Sequence, residues 1–330
     1  MDIDKSTPAL IYSPYDVGVH NTMNPDIAVL VPCHNEQTTI AKVVADFSAA
    51  LPGCTVFVYD NVSTDATSAQ AKSAGAVVRY EPLAGKGNVV RRMFADVEAD
   101  IYVLVDGDDT YDADSAPGLV DRLIRDSLDL VNGARVETHV AAYRSGHRFG
   151  NWMLTTLVAW IFGKRLTDML SGYRVMSRRL VKSFPALSGG FEIETELTVH
   201  ALQLRMPIAE VPTPYRERPP GSVSKLRTIS DGVRILHTIV HLVKEERPAQ
   251  FFGAACGLLV LASLVIGVPL WIEFRHTGLV PRLPSAVLAT GLMLLGFLSL
   301  VCGLILQSVT RGRTEAKRLH YLGIPIRFRG

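Results

Sequence analysis

Two uncharged apolar runs dominate the C-terminal part of this sequence, Phe251 to Ile272 and Leu283 to Thr310, 22 and 28 residues long. A helix needs about 20 apolar residues to cross the hydrocarbon core of a bilayer. Each run is long enough, and two in tandem are hard to bury in a soluble core. Residues 251–310 are therefore expected to form a transmembrane hairpin, joined by EFRHTGLVPR, a connection too short for a domain. Lys244 and Arg247 precede the first run, and Arg311, Arg313, Lys317 and Arg318 follow the second, against Arg275 and Arg282 between them. That bias places both ends of the hairpin in the cytoplasm.

The rest of the composition narrows the options. Of 330 residues, 48% are hydrophobic, and the mean hydropathy is +0.21, apolar for a soluble enzyme. A net charge of +2 implies no polyelectrolyte partner, so no nucleic acid is expected. Cys33, Cys54, Cys256 and Cys302 show no CxxC or paired spacing, which argues against a disulfide framework or a zinc site. Residues 1–24 read as an N-terminal extension with neither a basic n-region nor an apolar stretch of signal-peptide length. The polar half is thus expected to stay cytoplasmic.

Residues 25–224 read as one α/β domain. β-branched runs at Ile27 to Pro32, Thr55 to Asp60, Ala76 to Tyr80, Ile101 to Asp106 and Leu128 to Arg135 alternate with segments of helical spacing. Such βαβ units build an open, Rossmann-like, mostly parallel sheet. Ligands bind such sheets beyond the carboxyl ends of the strands, and that is where PCHNE, DNVSTD and DGDD fall. No GxxxxGK[ST] loop or GxGxxG opens a helix. AGKGNVVRR does place Gly85, Lys86 and Gly87 at a helix start, where backbone N–H groups and a lysine suit a diphosphate.

Two further segments carry apolar faces. Phe149 to Gly163 is almost wholly apolar yet too short to span, and residues 225–250 place Leu226, Ile229, Val233, Leu236, Val240 and Val243 at helical spacing. From periodicity alone core helices are the better reading; the adjoining spans shift it toward interfacial helices on the membrane surface. Residues 311–330 carry six Lys or Arg and one acid, a basic tail suited to anionic lipid.

The densest charge lies in IYVLVDGDDTYDAD, where Asp106, Asp108, Asp109, Asp112 and Asp114 follow an apolar strand. Carboxylates packed this closely repel one another unless a cation or donors compensate them. Asp112 and Asp114 read as solvated or helix-capping residues. Asp106 and Asp108 flank a glycine at the strand end, a pairing suited to a hard divalent ion, Mg²⁺ or Mn²⁺, shared with substrate phosphates.

PCHNE, DNVSTD, GKG, DGDD, SGYRVMSRR and FEIETEL, in this order and spacing, resemble a family 2 glycosyltransferase of the GT-A fold. With ERPPGSVSKL and the C-terminal hairpin, nearly the whole chain from Ile27 onward is similar to polyprenyl-phosphate glycosyltransferases, the relatives of dolichol-phosphate mannose synthase and undecaprenyl-phosphate glucosyltransferase. The resemblance implies an inverting, metal-dependent transfer of one sugar from a nucleotide sugar, with a uridine nucleotide favoured and GDP-mannose as an option. The acceptor would be undecaprenyl or dolichyl phosphate at the cytoplasmic face of a bacterial inner membrane. Pro32, His34, Glu36 and Asp60 would hold base and ribose, with Lys86 and Gly107 completing the donor side. Asp106 would face ribose and metal, and Asp108 would ligate the metal. Relatives carry glutamine two residues beyond the second aspartate; here Thr110 stands there, with Thr110 and Asp109 as further ligand candidates. Arg218 and Lys225 resemble a basic pair that closes over the diphosphate, and Arg135, Arg148 and Asn151 resemble the group that receives the lipid phosphate. Homo-oligomers, a tetramer among them, are a further implication.

Other signals read blandly. His237 and His241 lack the glutamate of HExxH and fit a helix face. The Asn61-Val62-Ser63 sequon falls within DNVSTD on a cytoplasmic domain. Glu192, Glu194 and Glu196 are as suited to capping, or to pairing with Arg174 or Arg178, as to chemistry. Asp168 reaches an acceptor phosphate only through a partner cation. The alternatives are a processive polysaccharide synthase, disfavoured because QxxRW is missing, and a membrane-anchored sugar-nucleotide sensor without turnover.

Overall fold

A computed structural model describes residues 25–137, 145–163, 166–190, 192–216 and 240–325. Period-2 alternation fixes its centre. Along β1 (Ile27–Cys33) and β4 (Ile101–Leu104), Leu30, Tyr102 and Leu104 point to one face while Val29, Val31, Ile101 and Val103 point to the other. All are buried, as expected for a sheet covered by helices on both faces. β2 (Thr55–Asp60) and β3 (Val77–Tyr80) add to one side of β1 in parallel, each after a helix, α1 (Ile40–Ala50) and α2 (Thr67–Ser73). α3 (Lys86–Asp96) then returns the chain to β4 on the other side of β1.

Beyond β4 come a single 3₁₀ turn (Ala113–Ser115), α4 (Ala116–Arg125) and β5 (Leu130–Glu137). α5 (Ser145–Phe162), β6 (Arg174–Ser177), α6 (Arg178–Ser183), α7 (Ile193–Gln203) and β7 (Ile208–Tyr215) complete the domain. The sheet order is β3-β2-β1-β4-β6-β5-β7, with β6 antiparallel to both its neighbours and every other pairing parallel. The five strands read from the sequence are present, and β6 and β7 are additions. β6 has only four residues, bounded by charge and glycine. β7 contains Pro212 and Pro214, which argue against a strand. Their alternate spacing puts both missing N–H groups on one side, and β7 is an edge strand, so that side faces away from the ladder.

Arg174, fully buried, starts β6. Its guanidinium donates to the Ser171 and Met169 carbonyls and to the Thr198 hydroxyl, so the desolvated cation is ringed by acceptors. Its position ties β6 to α7 beneath the site.

The last two helices are α8 (Pro248–Thr277) and α9 (Leu283–Leu322), 30 and 40 residues long. Both are long and apolar enough to cross a membrane, and within their apolar windows only 6% and 17% of residues are buried. A core helix of a soluble protein would be mostly covered; here Leu258, Val265, Trp271, Leu294 and Leu304 stand exposed. α8 ends on Gly278 in the left-handed conformation, φ 66°, which turns the chain back into an antiparallel hairpin. Small residues let the backbones approach: Ala289, Gly296 and Gly303 are buried against α8, and a Cβ at Gly303 would lie 2.8 Å from that of Phe252.

Residues 311–322, read from the sequence as the start of a basic tail, continue α9 without a break. They rest on the sheet domain. Lys317 donates to the Gln203 side-chain carbonyl at 3.1 Å, Gln203 donates to the Thr314 hydroxyl at 2.9 Å, and the Tyr321 hydroxyl donates to buried Asp129 at 2.7 Å. The Arg179 guanidinium covers the Tyr321 ring, 4.8 Å from its centroid. Of the segment 225–250, residues 240–246 are helical and residues 225–239 lie outside the described residues.

Candidate active site

The carboxyl edge of the sheet gathers the loops that the sequence singled out. The loop after β1 and the loop after β2 are laced together: the His34 ring meets the Asn61 carbonyl at 2.7 Å, Asn35 N–H donates to Ser63, and Glu36 N–H donates to Thr67. The Asn61 carboxamide donates to the Glu81 and Leu83 carbonyls and accepts from Gly85 N–H, joining this pair to the start of α3. That amide is buried, so the sequon it belongs to is a structural joint. Asp60 is buried at the end of β2 and accepts from Ser63 N–H and the Ser68 hydroxyl. Among the described residues, Asn35, Val62 and Asp109 on this edge adopt left-handed backbone. For β-branched Val62 that costs on the order of 1–3 kcal/mol, strain of the kind that gathers at functional loops.

Asp106, Gly107 and Asp108 follow β4. A Cβ at Gly107 would lie 2.6 Å from Cys33 Sγ, so any larger residue would have to displace that thiol, and the Thr39 hydroxyl holds the Gly107 carbonyl at 2.7 Å. Asp108 is buried, and one of its oxygens accepts from the Thr110 hydroxyl at 2.6 Å. Asp109 pairs with Lys42 on α1 at 2.7 Å. Thr110 therefore orients Asp108, and Asp109 is engaged on the α1 side.

Asp106 has a cationic partner. Lys86 Nζ lies 2.5 Å from Asp106 and 2.6 Å from Glu194 on α7, with the lysine and glutamate side chains 9% and 6% exposed. Burial opposes the ammonium charge, but the two carboxylates overcome it and hold Lys86 above the ordinary lysine range. The glycines of GKG serve this contact. A Cβ at Gly85 would lie 2.2 Å from the Gly189 carbonyl oxygen, and one at Gly87 2.1 Å from that of Ser188. The start of α3 is pressed backbone to backbone against the loop that enters α7, and Glu196 secures that loop by accepting from Leu187 and Ser188 N–H. Gly87→Ala is expected to lower stability by about 1–3 kcal/mol through overpacking. Gly118→Ala on α4, where a Cβ meets nothing within 4 Å, should instead be neutral or slightly stabilising. Thermal melting of the two variants checks this, and an unchanged Gly87→Ala midpoint would contradict the packing.

At the end of β5, Arg135 makes a two-pronged pair with Asp168, 2.6 Å from Nε and 2.8 Å from Nη2. Burial pushes the Asp168 carboxyl up, yet Arg135 outweighs it and holds it below the usual aspartate range. Glu210 on β7 supports the pair from behind, accepting from Asp168 N–H, Thr167 and Asn132. The partner cation that Asp168 needed is thus the arginine expected to receive a phosphate. Tyr215 stacks under Arg135, with the guanidinium 5.5 Å from its ring centroid, and Tyr111 accepts from Gly172 N–H. Arg178 pairs with Glu98, while Glu194 goes to Lys86.

Asp106, Asp108, Lys86, Gly107 and Arg135 thus share one edge with the loops of Pro32, His34, Glu36 and Asp60. Arg148 and Asn151 lie on the first turns of α5, with side chains outside what the structure describes, and Arg218 and Lys225 lie outside the described residues. Glu194, Asn61, Thr39 and Tyr215 were missed as site residues; their partners are distant in sequence, and no local spacing marks them. Among the described residues no group of three or more His, Cys, Asp or Glu is placed to hold a metal. The two carboxylates flanking Gly107 still fit Mg²⁺ or Mn²⁺, which take one or two protein carboxylates and complete their shell from water and substrate phosphate.

A mixed sheet in this order, with an aspartate pair after its central strand, is the GT-A architecture of glycosyltransferases. Residues 28–184 match the family described as Glycosyl transferase family 2. The chain is 31% identical over 304 residues to Glycosyltransferase AglJ of Haloferax volcanii, covering 90% of this chain and 99% of that one. It is likewise 31% identical over 223 residues to a dolichyl-phosphate hexose transferase of the same organism, covering 67% and 96%. Glucosyl-3-phosphoglycerate synthase from Mycobacterium tuberculosis, solved with Mn²⁺, UDP and glucosyl-3-phosphoglycerate, superposes with a TM-score of 0.55 at 25% identity over 67% of this chain and 79% of that one. The chain belongs to glycosyltransferase family 2 and is a glycosyltransferase.

Proposed function

We propose that this enzyme transfers one sugar from a nucleotide sugar, a UDP-sugar in preference to GDP-mannose, to the phosphate of a polyprenyl phosphate. The carrying observation is that the Asp106 and Asp108 carboxylates and the Arg135 guanidinium lie along one sheet edge, in a domain fixed to two exposed apolar helices. Carboxylates suit the cation side of a diphosphate donor, and a guanidinium suits an acceptor phosphate. The relative named for dolichyl phosphate supports the acceptor, and the neighbour solved with UDP and Mn²⁺ supports donor and metal.

The acceptor phosphate is anionic at neutral pH, so it needs positioning more than a general base. Arg135, together with Arg148 and Asn151, orients a phosphate oxygen toward the anomeric carbon. That oxygen forms the new C–O bond as the bond to the nucleoside diphosphate breaks on the opposite face, inverting the centre. Asp106 and Asp108 would hold a divalent ion, which when bound would neutralise charge on the departing diphosphate, and Arg218 and Lys225 would add cationic contacts to it. Pro32, His34, Glu36 and Asp60 shape the nucleoside side. The helices α8 and α9 anchor the enzyme in a membrane with its catalytic domain on the cytoplasmic side, and homo-oligomers through these helices are part of the reading.

Purified full-length protein should move label from one member of a panel of UDP- and GDP-sugars into organic-phase undecaprenyl phosphate, with Mg²⁺ or Mn²⁺ required. Donor binding without any transfer to lipid would instead support the sensor, and label in a growing polymer would support a processive synthase.

A further inference from the structure

Glu194 is the buried acid of the site that the reaction above leaves without a task. It projects from the first turn of α7 onto Lys86, which in turn meets Asp106, giving a line of alternating charge across three elements. Arg174 lies behind it, close enough for the two opposite charges to attract. Lys86 therefore serves two carboxylates at once, and its ammonium sits against an oxygen of Asp106, one of the two carboxylates suited to a divalent ion.

We propose that Glu194 is a positioning residue for divalent-cation binding, acting through Lys86: it gives the lysine a second carboxylate to rest on, so that Asp106 can turn from the ammonium to an incoming cation. The inference rests on the reading of Asp106 and Asp108 as the metal-facing pair. The lysine stem has little freedom to leave altogether, because Gly85 and Gly87 fix the start of α3 against the backbone of Ser188 and Gly189. The ammonium shifts from Asp106 toward Glu194. Without Glu194, the same ammonium would remain on Asp106 and repel the cation.

The test is Mn²⁺ binding to the full-length protein in detergent, without donor, followed by the electron paramagnetic resonance signal of free Mn²⁺. Glu194→Gln should weaken Mn²⁺ binding about ten-fold, within the range seen when residues behind metal ligands are changed. Lys86→Met in the Glu194→Gln background should restore it, since the competing ammonium is gone and the two members of the buried pair are neutralised together. Glu194→Asp keeps the charge and should show a smaller loss in the same direction, which decides the matter if Glu194→Gln folds poorly. Wild-type affinity in both Glu194→Gln and Glu194→Asp, or a loss that persists in the Lys86→Met/Glu194→Gln protein, would overturn the inference while leaving the metal reading intact. No Mn²⁺ binding by the unaltered protein would overturn both.

Discussion

Asp108→Asn is expected to abolish sugar transfer while leaving the fold intact. Its carboxylate is buried at the carboxyl end of β4 and oriented by the Thr110 hydroxyl, and an asparagine of nearly the same shape can accept that hydrogen bond. Folding should therefore change by no more than about 1 kcal/mol, the usual size of one such bond. A metal supplies several kcal/mol of charge stabilisation in the transition state, and at about 1.4 kcal/mol per tenfold its loss amounts to roughly 10³-fold in rate. Asp109→Asn is the natural comparison. Its partner Lys42 is half exposed, a setting in which ion pairs contribute about 0–1 kcal/mol, and Asp109 is engaged toward α1. Label transfer to polyprenyl phosphate, measured beside thermal melting, separates the two; near-normal turnover by Asp108→Asn would remove the metal role.

Arg135→Met should be the most destabilising single change at the site. Asp168 would keep its buried position with no guanidinium beside it, and breaking a buried pair from one side costs about 3–5 kcal/mol. Arg135→Met/Asp168→Asn should regain most of that stability, since a neutral buried pair carries no orphaned charge, yet transfer no sugar for want of the cation proposed to receive the acceptor phosphate. The pH dependence has a definite sign. Asp168 ionises below its ordinary value because of Arg135, so its contribution is complete above the unfolded pKa of about 3.9. It is lost as pH falls through the lower folded value. Melting profiles of wild type and the double variant should converge as the pH drops below about 4. A single variant as stable as wild type would show that the pair is not coupled as its geometry indicates.

How much of this was readable in the sequence depended on whether the signal was local. β1, β2, β3, β4 and β5 each announced themselves by an apolar, β-branched run, and the aspartates after β4 stood out by their crowding. β6 is four residues starting with a buried arginine, and β7 carries two prolines that an edge position tolerates. Neither condition is visible until the sheet is assembled. GKG was read for the donors it offers, whereas its glycines are required by a backbone at Ser188 and Gly189 that arrives from far along the chain. Asp168 and Glu194 escaped for the same reason. A carboxylate acquires its task from its cation, and Arg135 and Lys86 are brought to them only by the tertiary fold.

The continuation of α9 into the sheet domain has a geometric consequence. Ala289, Gly296 and Gly303 recur at a stride of seven along its seam with α8, and the same stride reaches Thr310, which donates to the Glu245 carbonyl, and Lys317, which donates to Gln203. One phase therefore governs both the part of the helix that packs on α8 and the part that packs on the sheet domain. At about 1.5 Å per residue the rod is roughly 60 Å long, about twice the hydrocarbon thickness of a bilayer. For a chain anchored as proposed, the helix sets both how high the catalytic edge stands above the lipid and which way it faces. Asp129, held by Tyr321, precedes β5, so the rod grips the sheet at its amino end, opposite the aspartates. The domain is mounted like a lamp on a fixed stand, its working rim aimed by the pitch of a single helix.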